Sequence, residues 1–159
     1  MGTMLDHCRD LPVVDAAEGE VLLNEGARSG KFYVLIEGEI EVYRDDVEIA
    51  RVAEAGAVFG EMSVLLDLPH TASVRAAAPS KLHLIADAAR FLSQKSEVAV
   101  LIARLLARRL QGANTYLVNL KLQFEDQKDH LGMVDEVLET LIHQQEEDFV
   151  PPEELPRAP

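Results

Sequence analysis

The sequence predicts an α+β protein in which antiparallel β structure is followed by a long helix. Up to Ile85, short apolar runs and period-two alternation are punctuated by glycines, which is typical of strands. Beyond Ile85 the apolar period becomes helical, and from Leu106 apolar residues recur in heptads. The 159 residues are 48% hydrophobic, which is enough for one packed domain and an extra element.

Seven or eight short strands are expected, at a spacing of roughly 8–12 residues that is typical of a sandwich or barrel. Around the Asp45-Asp46 turn, apolar and charged residues alternate as in strands with one solvated face. The candidate strands are Val21–Leu23, Phe32–Ile36, Ile40–Val42, Val47–Ile49, Ser73–Ala76 and Leu82–Ile85.

Two helices are predicted after the strands. Asp87 can cap a short helix that begins at Ala88. A much longer helical pattern begins near Ser96, with apolar residues at ten of eleven successive a and d heptad positions. The a positions are Leu106, Ala113, Leu120, Gln127, Val134 and Leu141, and the d positions are Leu110, Leu117, Phe124, Leu131 and Leu138.

An unbroken helix over residues 96–146 would be about 75 Å long at ~1.5 Å per residue, too long to bury its own stripe. The simplest partner is a second copy in a parallel coiled-coil homodimer. One alternative is a helix packed on its own sandwich. Another is a hairpin near residues 125–132, because Glu125–His130 is polar throughout. Gln127 would then mark the turn, whereas in a dimer it would be a buried polar pair that fixes register.

These patterns divide the chain into three predicted regions. Residues 1–95 form the β domain with flanking short helices, and residues 96–147 form the long dimerisation helix or its hairpin. Residues 148–159 are rich in acidic residues and proline, a composition typical of a disordered tail.

The charge excludes some functions. The net charge is −13, which argues against a general nucleic-acid binder. It is distributed as −9 over residues 1–89, +5 over 90–124 and −9 over 125–159. No apolar run reaches the length of a membrane span and no signal peptide is evident, so no membrane partner is expected. Cys8 is the single cysteine and cannot form an internal disulfide, in keeping with a cytoplasmic location.

One segment carries recognisable chemistry. Residues 59–76 read F-G-E-M-S-V-L-L-D-L-P-H-T-A-S-V-R-A, after Gly19-Glu20, Glu25-Gly26 and the stretch Phe32–Ile40. This segment resembles the phosphate-binding cassette of the cyclic nucleotide-binding domain family, F-G-E-[LIM]-[AS]-L-L, then P-R-[TAS]-A-[TS]-V-x-A. That family includes the catabolite activator protein and the regulatory subunits of protein kinase A. The resemblance covers about residues 10–110. It implies an eight-stranded antiparallel, jelly-roll-like β-roll with flanking helices.

The resemblance also implies a ligand, cAMP or cGMP, and no cofactor. A carboxylate suits the ribose 2′-hydroxyl, and backbone N–H groups at a helix start suit the phosphate. Carried over residue by residue, Gly60, Glu61 and Met62 fall on the ribose side. Thr71 and Ala72 fall on the phosphate side. In the family the helix after the barrel covers the base, and Thr115 is the best-placed polar residue for that contact, although a solvated helix face explains it more simply.

One position departs from the pattern. His70 stands where the family has an arginine that pairs with the phosphate. A neutral imidazole offers one donor in place of a charged fork, which would weaken binding by roughly tenfold to a hundredfold or more. Three outcomes follow: weak binding with the pKa of His70 raised by the anion, a different ligand, or a vestigial pocket. Arg75 and Arg28 are weaker candidates to compensate.

Other chemistries lack their signatures. The five histidines show no metal-ligand spacing, and no nucleophile motif or phosphate-binding Gly-rich loop is found, so we expect neither a metal site nor an enzyme. Only 18 residues follow Leu141, and this segment has a net negative charge and is rich in proline. No DNA-reading domain and no DNA partner are therefore expected. The leading hypothesis is a nucleotide-binding regulatory module that signals through a homodimer helix to an unidentified protein. The alternative is a ligand-independent dimeric adaptor with a degenerate pocket.

Overall fold

The structure is a computed structural model that describes residues 2–124 and 128–143. It divides into two units, Met1–Arg104 and Leu105–Pro159. The first unit holds eight strands: β1 (Val13–Ala16), β2 (Val21–Leu23), β3 (Phe32–Glu37), β4 (Ile40–Arg44), β5 (Val47–Val52), β6 (Val58–Phe59), β7 (Ser73–Ala76) and β8 (Ser80–Ile85). Its short helices are α1 (Met4–His7), α2 (Glu61–Leu66) and α3 (Ala88–Gln94).

The eight strands form two four-stranded antiparallel sheets, in the orders β1-β8-β3-β6 and β2-β7-β4-β5. This architecture confirms the predicted fold class of an antiparallel β-roll with flanking helices and a long C-terminal helix. β1 and β6 lie outside the strands predicted from alternation, and β6 has only two residues. Such short strands carry too few residues to show a period.

The core lies between the inner faces of the two sheets. Leu23, Leu35, Ile40, Val74 and Leu82 are each at most 4% exposed and pack in one cluster. β3 is buried along its first four residues, as expected for a strand covered on both faces, whereas β5 is exposed along most of its length. β3 is an inner strand of its sheet. It pairs with β8 on one side and with β6 on the other, and the next segment of the chain begins where β6 ends.

Local signals explain two connections. Asp45 and Asp46 both have positive φ, 49° and 61°, as in the type I′ turn that matches the twist of a two-residue hairpin, and they join β4 to β5. Asp87 caps α3 by accepting a hydrogen bond from Arg90 N at 3.2 Å, as its place before the apolar run predicts.

The long helical region contains two helices. α4 runs over Ser96–Gln123 and α5 over Lys128–His143. The ammonium group of Lys121 bonds the carboxylate of Asp135. One straight helix would place residues 14 positions apart about 21 Å from one another, farther than these two side chains reach, so α4 and α5 are not parts of one straight helix.

The dimer itself stays a prediction. Several large apolar side chains of α4, including Leu110 and Leu122, are well exposed within the second unit. Gln127, with its two alternative roles, and the tail predicted to be disordered, residues 148–159, lie outside the described residues.

Candidate functional site

The site begins where β6 ends. Gly60 has φ 93°, in the left-handed region, and directly precedes α2. A Cβ atom at Gly60 would lie 2.8 Å from Leu23 Cδ1 and 2.9 Å from Lys31 O, closer than real contacts allow. Both the backbone angle and the close approach therefore require glycine at this position.

Glu61 is the first residue of α2 and is only 3% exposed. A carboxylate is rarely buried to this extent unless polar groups satisfy it. Its position in the first helical turn also favours a negative charge, because the unsatisfied N–H groups of that turn carry partial positive charge. The structure thus places a buried acceptor next to a closely packed glycine.

His70 lies beside Gly60: its Cε1 atom would be 3.5 Å from a Cβ atom there. The imidazole is 5% exposed, and Nε2 shares a hydrogen bond of 2.7 Å with Ser29 Oγ. The backbone is fixed as well, because His70 N donates to Ala27 O at 2.9 Å and Gly26 N donates to His70 O at 2.8 Å. Burial lowers the pKa of His70 below its usual 6.5, so the neutral imidazole is the form present at pH 7.

Arg28 belongs to the same loop and turns toward the far end of α2. Its Nη1 donates to Asp67 O at 3.0 Å and to Asp67 Oδ1 at 3.1 Å. Asp67 ends α2 in the left-handed conformation, at φ 51°. Arg28, Ser63 and Asp67 line a cleft of about 380 Å³ together with residues at the start of α3.

The residues after His70 lead into β7. Thr71 is exposed and Ala72 is half-buried, while Ser73 is buried and its Oγ accepts from Glu25 N at 2.8 Å. Ser73 and Ser29 both tie the 24–31 loop to this segment. Neither carries a sequence signal, because their partners lie 48 and 41 positions away along the chain.

The structure brings Gly60, Glu61 and His70 together, with Thr71 and Ala72 next along the chain. Met62 is 46% exposed on α2. Thr115 lies on the part of α4 that belongs to the second unit, and its hydroxyl donates to Gln111 O at 3.0 Å within its own helix.

Arg75, one of the two candidates to compensate for His70, is already engaged on the outer face of its sheet. Its Nε donates to Glu41 Oε2 at 2.6 Å, and its guanidinium lies 4.4 Å from the ring centroid of Tyr43. The Glu41 side chain is 10% exposed, so removing Arg75 would leave a largely buried carboxylate without its ion-pair partner. The contacts of Arg75 with Glu41 and Tyr43 therefore stabilise its own sheet.

Across residues 2–124 and 128–143, no three His, Cys, Asp or Glu side chains gather in a way that could hold a metal ion. No helix in those same stretches combines the length and the apolar composition that a membrane span requires.

The buried imidazole predicts a pH dependence of stability. The unfolded chain protonates His70 near pH 6.5, whereas the folded chain resists protonation, so the free energy of unfolding falls as pH drops below about 6.5. Denaturant unfolding at pH 7.5 and pH 5 measures this loss. His70→Gln, which keeps a polar partner for Ser29, is expected to reduce the difference.

Glu41 acts in a separate pH range. Arg75 lowers the pKa of Glu41 from 4.5, so the stability that this carboxylate contributes is lost only below about pH 4.5. An equal loss of stability between pH 7.5 and pH 5 in wild type and His70→Gln would show that His70 is not the group responsible.

A family model described as "Cyclic nucleotide-binding domain" matches residues 13–94. These residues contain all eight strands, α2 and the loop that carries Arg28 and Ser29. The matched region is therefore the first unit without its N-terminal helix and without α4.

Individual proteins and solved structures are similar to parts of this chain. An uncharacterized ABC transporter ATP-binding protein of Mycobacterium tuberculosis is 39% identical over 67 residues, 40% of this chain and 20% of that protein. The chain thus spans about a fifth of the curated relatives it matches first. The catabolite activator protein of Thermus thermophilus superposes with a TM-score of 0.62 at 23% identity, over 74% of this chain and 59% of that one. A cyclic nucleotide-binding domain from Methylobacillus flagellatus gives 0.58 at 25% identity, over 70% and 68%.

Proposed function

This chain belongs to the cyclic nucleotide-binding domain family, and on that basis we propose that it binds cAMP or cGMP beside α2. The observation that carries the proposal is the pairing of Gly60 with Glu61: a glycine held in the left-handed conformation opens α2, and the next carboxylate is 3% exposed. The buried Glu61 carboxylate can accept a hydrogen bond from a ribose hydroxyl, and the glycine before it has no side chain to keep the sugar away from the backbone.

The remaining contacts follow from the chemistry of the ligand. Glu61 accepts from the ribose 2′-hydroxyl, with Gly60 and Met62 beside the sugar. The phosphodiester lies against the N–H groups of the Thr71-Ala72 segment, with the Thr71 hydroxyl as a further donor. His70 adds one neutral donor, because its imidazole is uncharged at pH 7.

The regulatory role requires that ligand binding favours one arrangement of the long helix over another. We propose that α4 transmits the signal in a homodimer, since its apolar side chains Leu110, Tyr116 and Leu122 are each at least 43% exposed within the second unit. The recipient is a partner protein in the cytoplasm, and the chain is a regulator and not a catalyst.

A second candidate function rests on position 70. A neutral, buried histidine in place of a charged arginine fits a ligand-independent dimeric adaptor, in which the roll is a scaffold and the pocket is empty. The two functions differ in one observable, nucleotide binding.

Isothermal titration calorimetry with cAMP and cGMP, each at pH 6 and pH 8, distinguishes them. We expect binding of at least one of the two nucleotides. No heat at millimolar ligand, at either pH, would rule out the regulatory module and leave the adaptor. Light scattering on the same samples measures the mass, and a monomer would contradict the dimer in both hypotheses.

A further inference from the structure

The segment around His70 is wrapped by the loop of residues 26–29. Gly26 and Ala27 make backbone hydrogen bonds with His70 at 2.8 Å and 2.9 Å, and Ser29 Oγ lies 2.7 Å from its Nε2. Arg28 is therefore flanked on both sides by residues that are bound to His70. Its Cα is about 3.8 Å from each neighbouring Cα, so its side chain originates beside the pocket.

His70 cannot supply what an anionic ligand most needs. One ring nitrogen is already used by Ser29, and the buried ring is neutral at pH 7. A phosphodiester carries a full negative charge, and Glu61 adds a second negative group to the same pocket. The backbone N–H groups carry only partial charge, so a nearby cation would strengthen the binding of the phosphate.

The present partner of Arg28 holds it weakly. The Arg28 and Asp67 side chains are 59% and 98% exposed, and an ion pair as exposed as this contributes little. The guanidinium also has donors beyond the Nη1 atom that contacts Asp67. Arg28 also lines a cleft of about 380 Å³ together with Ser63 and Asp67, so its side chain is not packed on all sides.

Several other cations of the first unit pair with carboxylates of the strands and their turns, and none of those carboxylates belongs to α2 or to the 26–29 loop. Arg44 pairs with Glu25, Arg51 with Glu48, and Lys81 with Glu37. Arg75 is bound to the largely buried Glu41. Lys31 lies near Arg28 in the chain, but a compact ammonium does not offer the planar fork that binds a phosphate through two hydrogen bonds.

We infer that Arg28 exchanges Asp67 for the phosphate of the bound cyclic nucleotide, and so takes the role that the residue at position 70 cannot perform. This inference rests on the proposed function. It assigns Arg28 as an affinity-determining residue and Asp67 as its competitor. It also links the ligand to the end of α2, because the departure of Arg28 removes a hydrogen bond from the Asp67 carbonyl that ends this helix.

The test is calorimetry of the full chain with cAMP and cGMP. Arg28→Gln is expected to weaken binding by about tenfold or more, since a charged hydrogen-bond donor is lost. Arg28→Lys keeps the charge without the fork and is expected to fall between this variant and wild type. Asp67→Asn removes the competing carboxylate and is expected to strengthen binding several-fold. Lys31→Gln is the matched control, with unchanged affinity expected.

Adenosine and guanosine, which lack the phosphate, supply the second comparison. If wild type binds them, Arg28→Gln is expected to leave their affinity unchanged. Thermal unfolding of each variant establishes that it is folded. Equal affinity of wild type and Arg28→Gln for the cyclic nucleotides would overturn the inference and leave the proposed function standing. Equal losses from Arg28→Gln and Lys31→Gln would also overturn it, because they would indicate a general field of positive charge. Absence of binding by wild type would overturn the proposed function, and this inference with it.

Discussion

Replacing Glu61 by glutamine is expected to weaken cyclic nucleotide binding by about tenfold to a hundredfold. The carboxylate is 3% exposed, so a hydrogen bond that it accepts from a ribose hydroxyl is shielded from water. A hydrogen bond to a charged group contributes about 1.5–3 kcal/mol, which corresponds to that range in affinity. Glutamine keeps the size of the side chain but removes the charge, and calorimetry with cAMP and cGMP measures the difference.

Glu54→Gln is the matched control, because Glu54 is an exposed carboxylate in the loop before β6. It is expected to bind as wild type does. Since a buried carboxylate also supports the fold, the unfolding transition of Glu61→Gln must be recorded without ligand. A folded Glu61→Gln protein that binds with wild-type affinity would show that Glu61 does not contact the ligand.

Replacing His70 by arginine is expected to strengthen binding by a similar factor, about tenfold to a hundredfold. Arginine adds a permanent charge and a fork of donors at the position that Gly60 and Ser29 surround. The same change is expected to lower the unfolding temperature without ligand, because a charge then occupies a site where the histidine is 5% exposed. Saturating nucleotide should restore much of that loss.

His70→Gln is the control for the arginine, since it is polar, neutral and able to bond Ser29. It is expected to bind no more tightly than wild type. The double variant with Arg28→Gln sharpens the comparison: once an arginine occupies position 70, the loss caused by Arg28→Gln should shrink. A folded His70→Arg protein with no gain in affinity would show that the phosphate does not lie at position 70.

Much of the fold could be predicted from sequence because its signals are local. Alternation predicts β4 and β5, two adjacent aspartates predict their turn, and Asp87 predicts the start of α3. β1 and β6 could not be predicted in this way, because their residues become strands through pairing with β8 and β3. Such pairing depends on residues far apart in the chain.

The candidate site also has one part that the sequence predicts and one part that depends on the fold. The motif around Gly60 and Glu61 is contiguous, so its similarity to a known cassette is visible in sequence alone. The environment of His70 is not contiguous: Ser29 and Arg28 come from a loop about 40 positions earlier. The replacement of arginine by histidine is visible in the sequence, but its burial and its bond to Ser29 required the fold.

We propose that a cyclic nucleotide lies between α2, the 26–29 loop and the start of β7. A titration of ¹⁵N-labelled protein with cAMP and cGMP, followed by amide chemical shifts, tests it most directly. The largest shifts are predicted at Gly60, Glu61, Thr71 and Ala72, together with the Arg28 backbone and side chain. No shifts at millimolar nucleotide, or shifts confined to residues away from this pocket, would contradict the account.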